Sequence, residues 1–94
     1  MKVSDKKREK ISEQILAHLF FITPKSVFTS HIAQELARDE EFIKKLLLVL
    51  KNKKLVIEIK KNAKGIDYLR RSRWKLTDTA YQAYKRYQDG VVKQ

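Results

Sequence analysis

Cysteine is missing from this chain of 94 residues, and glycine and proline are scarce, with two glycines and one proline. The absence of cysteine excludes disulfides, thiol catalysis and the usual cysteine-based structural zinc sites. So little glycine and proline leaves small room for long loops. No run of about 18 apolar residues occurs, and we therefore expect no membrane span.

The remaining bulk properties are those of one globular domain. Hydrophobic residues make up 43% of the chain, which is too many for a disordered segment of this charge. The N-terminal segment MKVSDKKREK is charged, and no apolar stretch with a small-residue cleavage site follows it, so we expect no secretory signal. We expect residues 1–94 to form a single cytoplasmic domain, with its core in residues 4–88 and a few flexible residues at each end.

Acidic residues are few relative to basic ones: the chain has 22 Lys and Arg but 11 Asp and Glu, which gives a net charge of +11. Residues 51–75 alone contribute +8 of that charge, whereas residues 1–50 contribute +2 and residues 76–94 contribute +1. A coat of solubilising charge would be spread evenly. The concentration instead favours a surface for a polyanion, with nucleic acid first and an anionic membrane second.

The spacing of apolar residues predicts four helices. In the first, over residues 4–22, apolar residues recur at i, i+4, i+8 and i+11, with Ser4 as the expected N-cap. The second and third helices, over residues 30–37 and 39–52, are separated by a turn at Arg38. We expect Thr29 or Ser30 to cap the second helix and Asp39 to cap the third.

The last helix and the strands follow from the remaining patterns. Thr77 caps a helix that runs to about Gln88, where Asp89-Gly90 is expected to stop it. Residues 26–28 form a short strand. Residues 55–60 alternate, with Leu55, Ile57 and Ile59 on one side and Val56, Glu58 and Lys60 on the other. A turn at 62–65 leads to a return strand over 68–75, on which Trp74 belongs to the core.

Two helices joined by a tight turn and followed by a basic hairpin form a recognisable pattern, carried by the segments SHIAQELA (30–37), LKNKKLV (50–56) and WKLTD (74–78). In these segments the chain resembles the winged-helix superfamily, and it is most similar to small MarR/PadR-type regulators and small archaeal or archaeal-virus DNA-binding proteins. The resemblance covers residues 4–88. It implies an α+β fold, a winged helix-turn-helix with a three-helix core, a short first strand, a two-stranded wing hairpin and a C-terminal helix.

The chain departs from the pattern of that superfamily at two places. Lys54 stands where the superfamily usually has glycine, so we expect the turn into the wing to be built differently. The recognition helix implied by the resemblance opens with Asp39-Glu40-Glu41. These charges repel phosphate, although glutamate can accept a hydrogen bond from cytosine N4. The abundance of lysine and isoleucine, with no cysteine and little glycine, is typical of thermophilic archaea or their viruses.

The predicted DNA-binding residues of the third helix face away from its apolar side: Lys44, Lys45, Leu48, Lys51 and Asn52. Lysines there can neutralise phosphates or reach guanine, and asparagine can pair with adenine. An exposed leucine suits a thymine methyl or a protein partner. The alternative is a plain amphipathic helix with a solvated basic face.

The predicted DNA-binding residues of the wing are all basic: Lys60, Lys61, Lys64, Arg70, Arg71, Arg73 and Lys75. The three lysines mark the tip, and residues 71, 73 and 75 are expected to form a cationic row on one strand face. In winged helices such a tip enters the minor groove or follows the backbone. The alternative is protection of an edge strand, which needs only a few charges.

A homodimer is expected through the terminal helices, from an interface of Leu16, Phe20, Tyr81, Tyr84 and Tyr87. Tyrosine is enriched at protein interfaces. The alternative is that the tyrosines cover the first helix within one chain.

We therefore predict a sequence-specific double-stranded DNA-binding protein, a nucleoid-associated transcription regulator with helix 39–52 in the major groove and wing 57–74 on the backbone or minor groove. For a viral protein the location would be the host cytoplasm. Two alternatives stay open: an adaptor that binds other proteins of the transcription machinery, and a sequence-indifferent chromatin-type binder. His18 and His31 have no second ligand at helical spacing, and no catalytic grouping is evident. We expect no metal, no cofactor, no small-molecule ligand and no enzymatic activity.

Overall fold

The computed structural model describes residues 4–92. Four helices and three strands follow in the order α1 (Asp5–Ile22), β1 (Val27–Phe28), α2 (Thr29–Leu36), α3 (Glu40–Asn52), β2 (Val56–Ile59), β3 (Arg73–Leu76) and α4 (Asp78–Val92). The strands form one antiparallel sheet in the order β1-β3-β2. The expected α+β winged helix-turn-helix is confirmed. No helix within the described residues is both long and apolar enough to cross a bilayer.

Three helices begin at the predicted capping side chains. The backbone N–H of Lys7 donates to Ser4 Oγ (3.3 Å) at the start of α1. At the start of α3 the N–H of Phe42 donates to Asp39 Oδ2 (3.1 Å). At the start of α4 the N–H of Ala80 donates to Thr77 Oγ1 (3.1 Å). Each cap satisfies a backbone donor that has no partner inside its helix.

The predicted cap of α2 is wrong. This helix begins at Thr29, and the residue at its N-cap position is Phe28, which makes no side-chain cap hydrogen bond. The Thr29 hydroxyl instead accepts a hydrogen bond of 2.7 Å from the indole Nε1 of Trp74, and both residues are buried. A buried indole N–H needs a partner, and this need takes the hydroxyl away from the helix end.

The core lies between the first three helices and one face of the sheet. Its buried side chains are Ile11, Ile15, Leu19, Ile32, Ala33, Ile43, Leu46, Leu47, Leu50, Val56, Trp74 and Leu76. The predicted core position of Trp74 is confirmed, since its side chain has no exposed surface. On β2 the core lies on the Val56 side of the alternation, and Ile57 is 39% exposed.

The return arm of the wing is less regular than the predicted strand over 68–75, because β3 covers only Arg73–Leu76. Ile59 pairs with Arg73, and Lys61 pairs with Asp67 in an isolated bridge. Between these two pairs one arm contains only Lys60, whereas the other contains residues 68–72. The five residues 68–72 therefore leave the ladder, and we call them the wing excursion.

The helix α4 extends to Val92 and passes through Asp89-Gly90, so the predicted stop at these residues is wrong. A glycine inside a helix lowers its stability by about 1 kcal/mol relative to alanine but does not break it. The chain ends expected to be flexible are residues 1–3 and 89–94. Of these, residues 89–92 belong to α4, and residues 1–3 and 93–94 lie outside the described residues.

Two helices end in left-handed residues that are not glycine, Ala37 (φ 54°) after α2 and Lys54 (φ 62°) after α3. After α3 the N–H of Leu55 donates to Leu50 O (3.0 Å) and that of Lys54 to Lys51 O (2.9 Å). This pair of bonds is the Schellman arrangement, in which glycine usually takes the left-handed position. The expectation that Lys54 forces a different turn is wrong, because the lysine adopts the conformation that favours glycine.

Candidate nucleic-acid interface

The outer face of α3 carries the side chains predicted to bind DNA. Lys44, Lys45, Leu48, Lys51 and Asn52 are all exposed, while the opposite face is buried in the core. Leu48 is an apolar residue on this face, and it is 40% exposed beside the charged side chains of Lys44 and Lys45. This division follows from the 3.6-residue period of the helix.

A groove of about 460 Å³ lies between Lys44 of α3 and the wing, and half of the residues that line it are basic. Five cationic side chains line it: Lys44, Lys60, Lys61, Arg70 and Arg71. The acidic residues of the same groove are Glu58 and Asp67. A smaller recess of about 190 Å³ adjoins Lys44, Arg70 and Arg71 and includes Glu40 of the first turn of α3. The structure thus brings one end of the predicted helix surface together with part of the predicted wing surface.

Glu58 joins α3 to both arms of the wing. Its side chain is only 6% exposed, and Lys51 Nζ lies 2.9 Å from Oε1. The hydroxyl of Ser72 donates to Oε2 at 2.6 Å. Burial raises the pKa of Glu58, but the hydrogen bonds from Ser72 and Lys51 outweigh this effect, and the pKa lies below its ordinary value. Glu58 is therefore ionised at neutral pH, and part of the charge of Lys51 is compensated within the chain.

The ring of Phe28 makes cation–π contacts with two arginines of the wing. The guanidinium carbons of Arg71 and Arg73 lie 4.6 Å and 4.9 Å from the centre of its ring. Tyr68 packs edge-on against the same ring at 5.2 Å, and Arg73 also lies 5.7 Å from the ring of Tyr68. Cation–π contacts of this kind restrict the arginine side chains before any ligand is bound.

The predicted cationic row of residues 71, 73 and 75 is formed only in part, since Arg71 and Arg73 share the ring of Phe28 and Lys75 does not. Arg71 lies in the wing excursion and is exposed, whereas Arg73 and Lys75 lie in β3 and are half-buried. Lys75 lines a separate recess with Pro24 and Tyr81. Arg71 therefore lies outside the strand but remains beside Arg73, and Lys75 is the member of the predicted row that is separated.

The tip of the wing is a tight turn with the predicted residues. The side-chain oxygen of Asn62 accepts hydrogen bonds from the N–H groups of Lys64 (2.9 Å) and Ile66 (3.0 Å). Gly65 has a φ of 81°, which glycine adopts without steric strain. Lys60, Lys61 and Lys64 are exposed around this turn, so their charges are available to a ligand.

The residues predicted for a dimer interface lie mostly against one another. The ring of Phe20 is 5.1 Å from that of Tyr81 and 4.6 Å from that of Tyr84, so α4 covers α1 within one chain. Leu16 is half-buried, and Tyr87 is 68% exposed. This packing is the single-chain alternative that the sequence left open.

Sequence reasoning missed Glu58, Ser72 and Phe28 as parts of this site. A signal existed for Glu58, which shares the strand face of Val56 and is one of two acids in the basic segment 51–75. Within the described residues no three His, Cys, Asp or Glu side chains are grouped closely enough to hold a metal ion.

The sequence matches no protein-family model, and no curated protein is significantly similar to it in sequence. Solved structures do resemble it. Staphylococcus aureus MepR in complex with DNA has a TM-score of 0.68 at 23% identity, covering 95% of this chain and 75% of that one. A MepR mutant from a multidrug-resistant S. aureus clinical isolate has a TM-score of 0.68 at 22% identity, covering 83% of this chain.

A third similar structure is a mutant of Lactococcus lactis ZitR in its apo form, with a TM-score of 0.64 at 19% identity and 94% of this chain covered. The chain spans only 54% of the MepR mutant and 64% of this ZitR mutant. MepR and ZitR are MarR-family winged-helix regulators. At this level of identity the likeness concerns the fold, and the chain has the winged-helix fold of MarR-type proteins.

Proposed function

We propose that the chain is a sequence-specific double-stranded DNA-binding protein that regulates transcription in the cytoplasm, with α3 in the major groove and the wing on the backbone or minor groove. The observation that carries the proposal is the groove between α3 and the wing, whose lining includes five basic side chains and only two acidic ones. The same fold is seen bound to DNA in the MepR complex.

The two sides of the groove have different proposed roles. Lys44 and Lys45 lie on α3, and the major groove is wide enough to admit an α-helix. In that groove a lysine can reach guanine or a phosphate. Arg70, Arg71 and the wing lysines are proposed to neutralise phosphates, which positions the protein without reading bases. Phe28 restrains Arg71 and Arg73, and this lowers the conformational entropy that they lose on binding.

Selection of bound duplexes from a random pool at two salt concentrations tests the proposal. Release of counterions from about five phosphates predicts that log affinity falls with log salt at a slope near −4.5. A regulator enriches one sequence at both concentrations. A flat salt response, or no duplex binding at moderate salt, would refute the proposal and favour a protein-interaction adaptor.

One observation favours a sequence-indifferent binder as the second candidate. Glu40 lies in the smaller recess beside Lys44 and Arg70, so an acid occupies the end of α3 nearest the wing arginines. An acid there repels phosphate and restricts base reading to residues further along the helix. Under this candidate the same selection leaves the pool unenriched, while the steep salt response remains.

The proposed regulator acts as a homodimer through the terminal helices. Phe20, Tyr81 and Tyr84 are packed within the chain, so a partner would meet their outer edges together with Leu16 and the exposed ring of Tyr87. The 68% exposure of Tyr87 supports this proposal. Sedimentation equilibrium of the wild type and of Tyr87→Ala tests it, and a wild-type monomer at all concentrations would refute it.

A further inference from the structure

Leu69 is the most exposed of the large apolar side chains that the structure describes, with 98% of its surface open to solvent. It stands in the wing excursion, between Tyr68 and Arg70. It also lines the groove between α3 and the wing, beside the five basic side chains that carry the proposed function. A leucine in this position contributes nothing to the core of its own chain.

The excursion holds Leu69 outward because both of its ends are fixed. At one end the N–H of Tyr68 donates to Lys60 O at 2.7 Å, and the ring of Tyr68 packs on Phe28. At the other end Ser72 donates its hydroxyl to the buried carboxylate of Glu58. The three residues between these anchors, 69–71, are therefore presented as a short loop with one apolar and two basic side chains.

We infer that Leu69 is a wedge that enters the minor groove of bound DNA and partly unstacks one base step, and this inference rests on the proposed function. Duplex DNA is the occupant that fits the charges, because Arg70 and Arg71 follow the leucine directly and Lys60 and Lys61 line the same groove. Arginine is attracted by the negative potential of the minor groove. An apolar side chain beside such cations is the combination with which proteins kink a duplex, most easily at flexible pyrimidine–purine steps.

The test compares Leu69→Ala with the wild type on the duplex enriched by selection, or on a mixed-sequence duplex if none is enriched. 2-Aminopurine replaces one adenine at a time along that duplex, and its fluorescence rises where a base is unstacked. We expect the wild type to brighten a single pyrimidine–purine step of an enriched duplex, or several such steps of a mixed-sequence duplex. Leu69→Ala should abolish this signal and weaken binding about 10-fold, because the buried apolar area is lost. The salt slope should stay unchanged, because no charge is removed.

Two control variants sharpen the comparison. Phe21→Ala removes another side chain that is 86% exposed but lies at the end of α1, and it should leave both affinity and fluorescence unchanged. Leu69→Met retains an apolar side chain of similar size and should restore most of the signal. Circular dichroism checks that Leu69→Ala is folded.

Several results would overturn the inference. Equal affinity and equal brightening for the wild type and Leu69→Ala would show that the leucine does not enter the stack. A second such result is that Leu69→Ala loses affinity although the wild type brightens no step. If the wild type loses the same affinity when thymine is replaced by deoxyuridine, Leu69 contacts a thymine methyl group instead of entering the stack. A change confined to self-association would assign it to a second copy of the chain. If the wild type binds no duplex, the proposed function fails and the wedge fails with it.

Discussion

Replacing Glu58 by glutamine should destabilise the protein, because this carboxylate ties α3 to the wing. The change preserves the shape of the side chain and removes its charge. A hydrogen bond to a charged group contributes about 1.5–3 kcal/mol and one between neutral groups about 1 kcal/mol, so about 1 kcal/mol is lost at Ser72. Lys51 has a side chain that is 46% exposed, and its ion pair adds only about 0.5 kcal/mol.

Burial of the carboxylate offsets part of this stabilisation, but the lowered pKa of Glu58 shows that the balance favours the charged form. We expect a net loss of about 1 kcal/mol in the free energy of unfolding. For a domain of this size that corresponds to a fall of about 4–8 °C in Tm. Thermal unfolding followed by circular dichroism at neutral pH measures the change directly.

The pH dependence gives a second measurement on the same pair of proteins. The pKa of Glu58 in the folded state lies below its ordinary value of 4.5. The stabilisation is therefore complete above the unfolded pKa and is lost as the pH falls through the folded pKa. The difference between the wild type and Glu58→Gln should shrink as the solution is acidified below pH 4.5.

The matched control is Asp67→Asn, which removes the other acid of the wing at an exposed position. A surface change of this kind usually alters stability by less than about 0.5 kcal/mol. If Glu58→Gln and Asp67→Asn have the same Tm at neutral pH, Glu58 does not hold the wing and the reasoning is refuted.

Three further predictions concern the turn into the wing, the core and the groove. Lys54→Gly should raise the free energy of unfolding by about 0.5–1 kcal/mol, because Lys54 has a φ of 62°; denaturant titration should show the opposite sign for Lys53→Gly, where φ is −82°. Thr29→Val should lower it by about 1–3 kcal/mol, because the buried indole N–H of Trp74 loses its acceptor. In the same titration Thr29→Ser should retain most of the stability, and equal losses for both variants would contradict the role of the hydroxyl. Lys44→Ala should reduce the salt slope of duplex binding by about 0.9 while Lys85→Ala, on α4, leaves it unchanged, and equal slopes for the two variants would remove Lys44 from the interface.

Much of the fold could be predicted from residues that are near neighbours in the chain. The caps Ser4, Asp39 and Thr77 act within three residues of their partners. The buried face of α3 follows from helical periodicity alone. Trp74 shares strand parity with Leu76, and this spacing of two residues is enough to predict its place in the core.

Two of the failed predictions, the cap of α2 and the return strand, depended on pairing with residues elsewhere in the chain. Thr29 is close to the start of α2, but its hydroxyl is taken by Trp74, 45 residues away. The return strand has suitable residues over 68–75, but the pairs formed by Ile59 and Lys61 leave five of its residues outside the ladder.

The candidate site likewise has features decided by near neighbours in the chain and features decided by distant residues. Local sequence predicts where the charge lies, which face of α3 is exposed and where the wing turns, because periodicity and turn chemistry act over a few residues.

By itself the sequence determined the order of helices and strands, the winged-helix fold that they form and a basic surface on the third helix and wing. Only the tertiary structure decided that Glu58 partly compensates Lys51, that Phe28 restrains two arginines and that Leu69 stands outside the ladder. The reason is physical: strand register and side-chain pairing join residues far apart in the chain, and each pairing depends on which competing partner forms the more stable contact with the same donor, acceptor or ring.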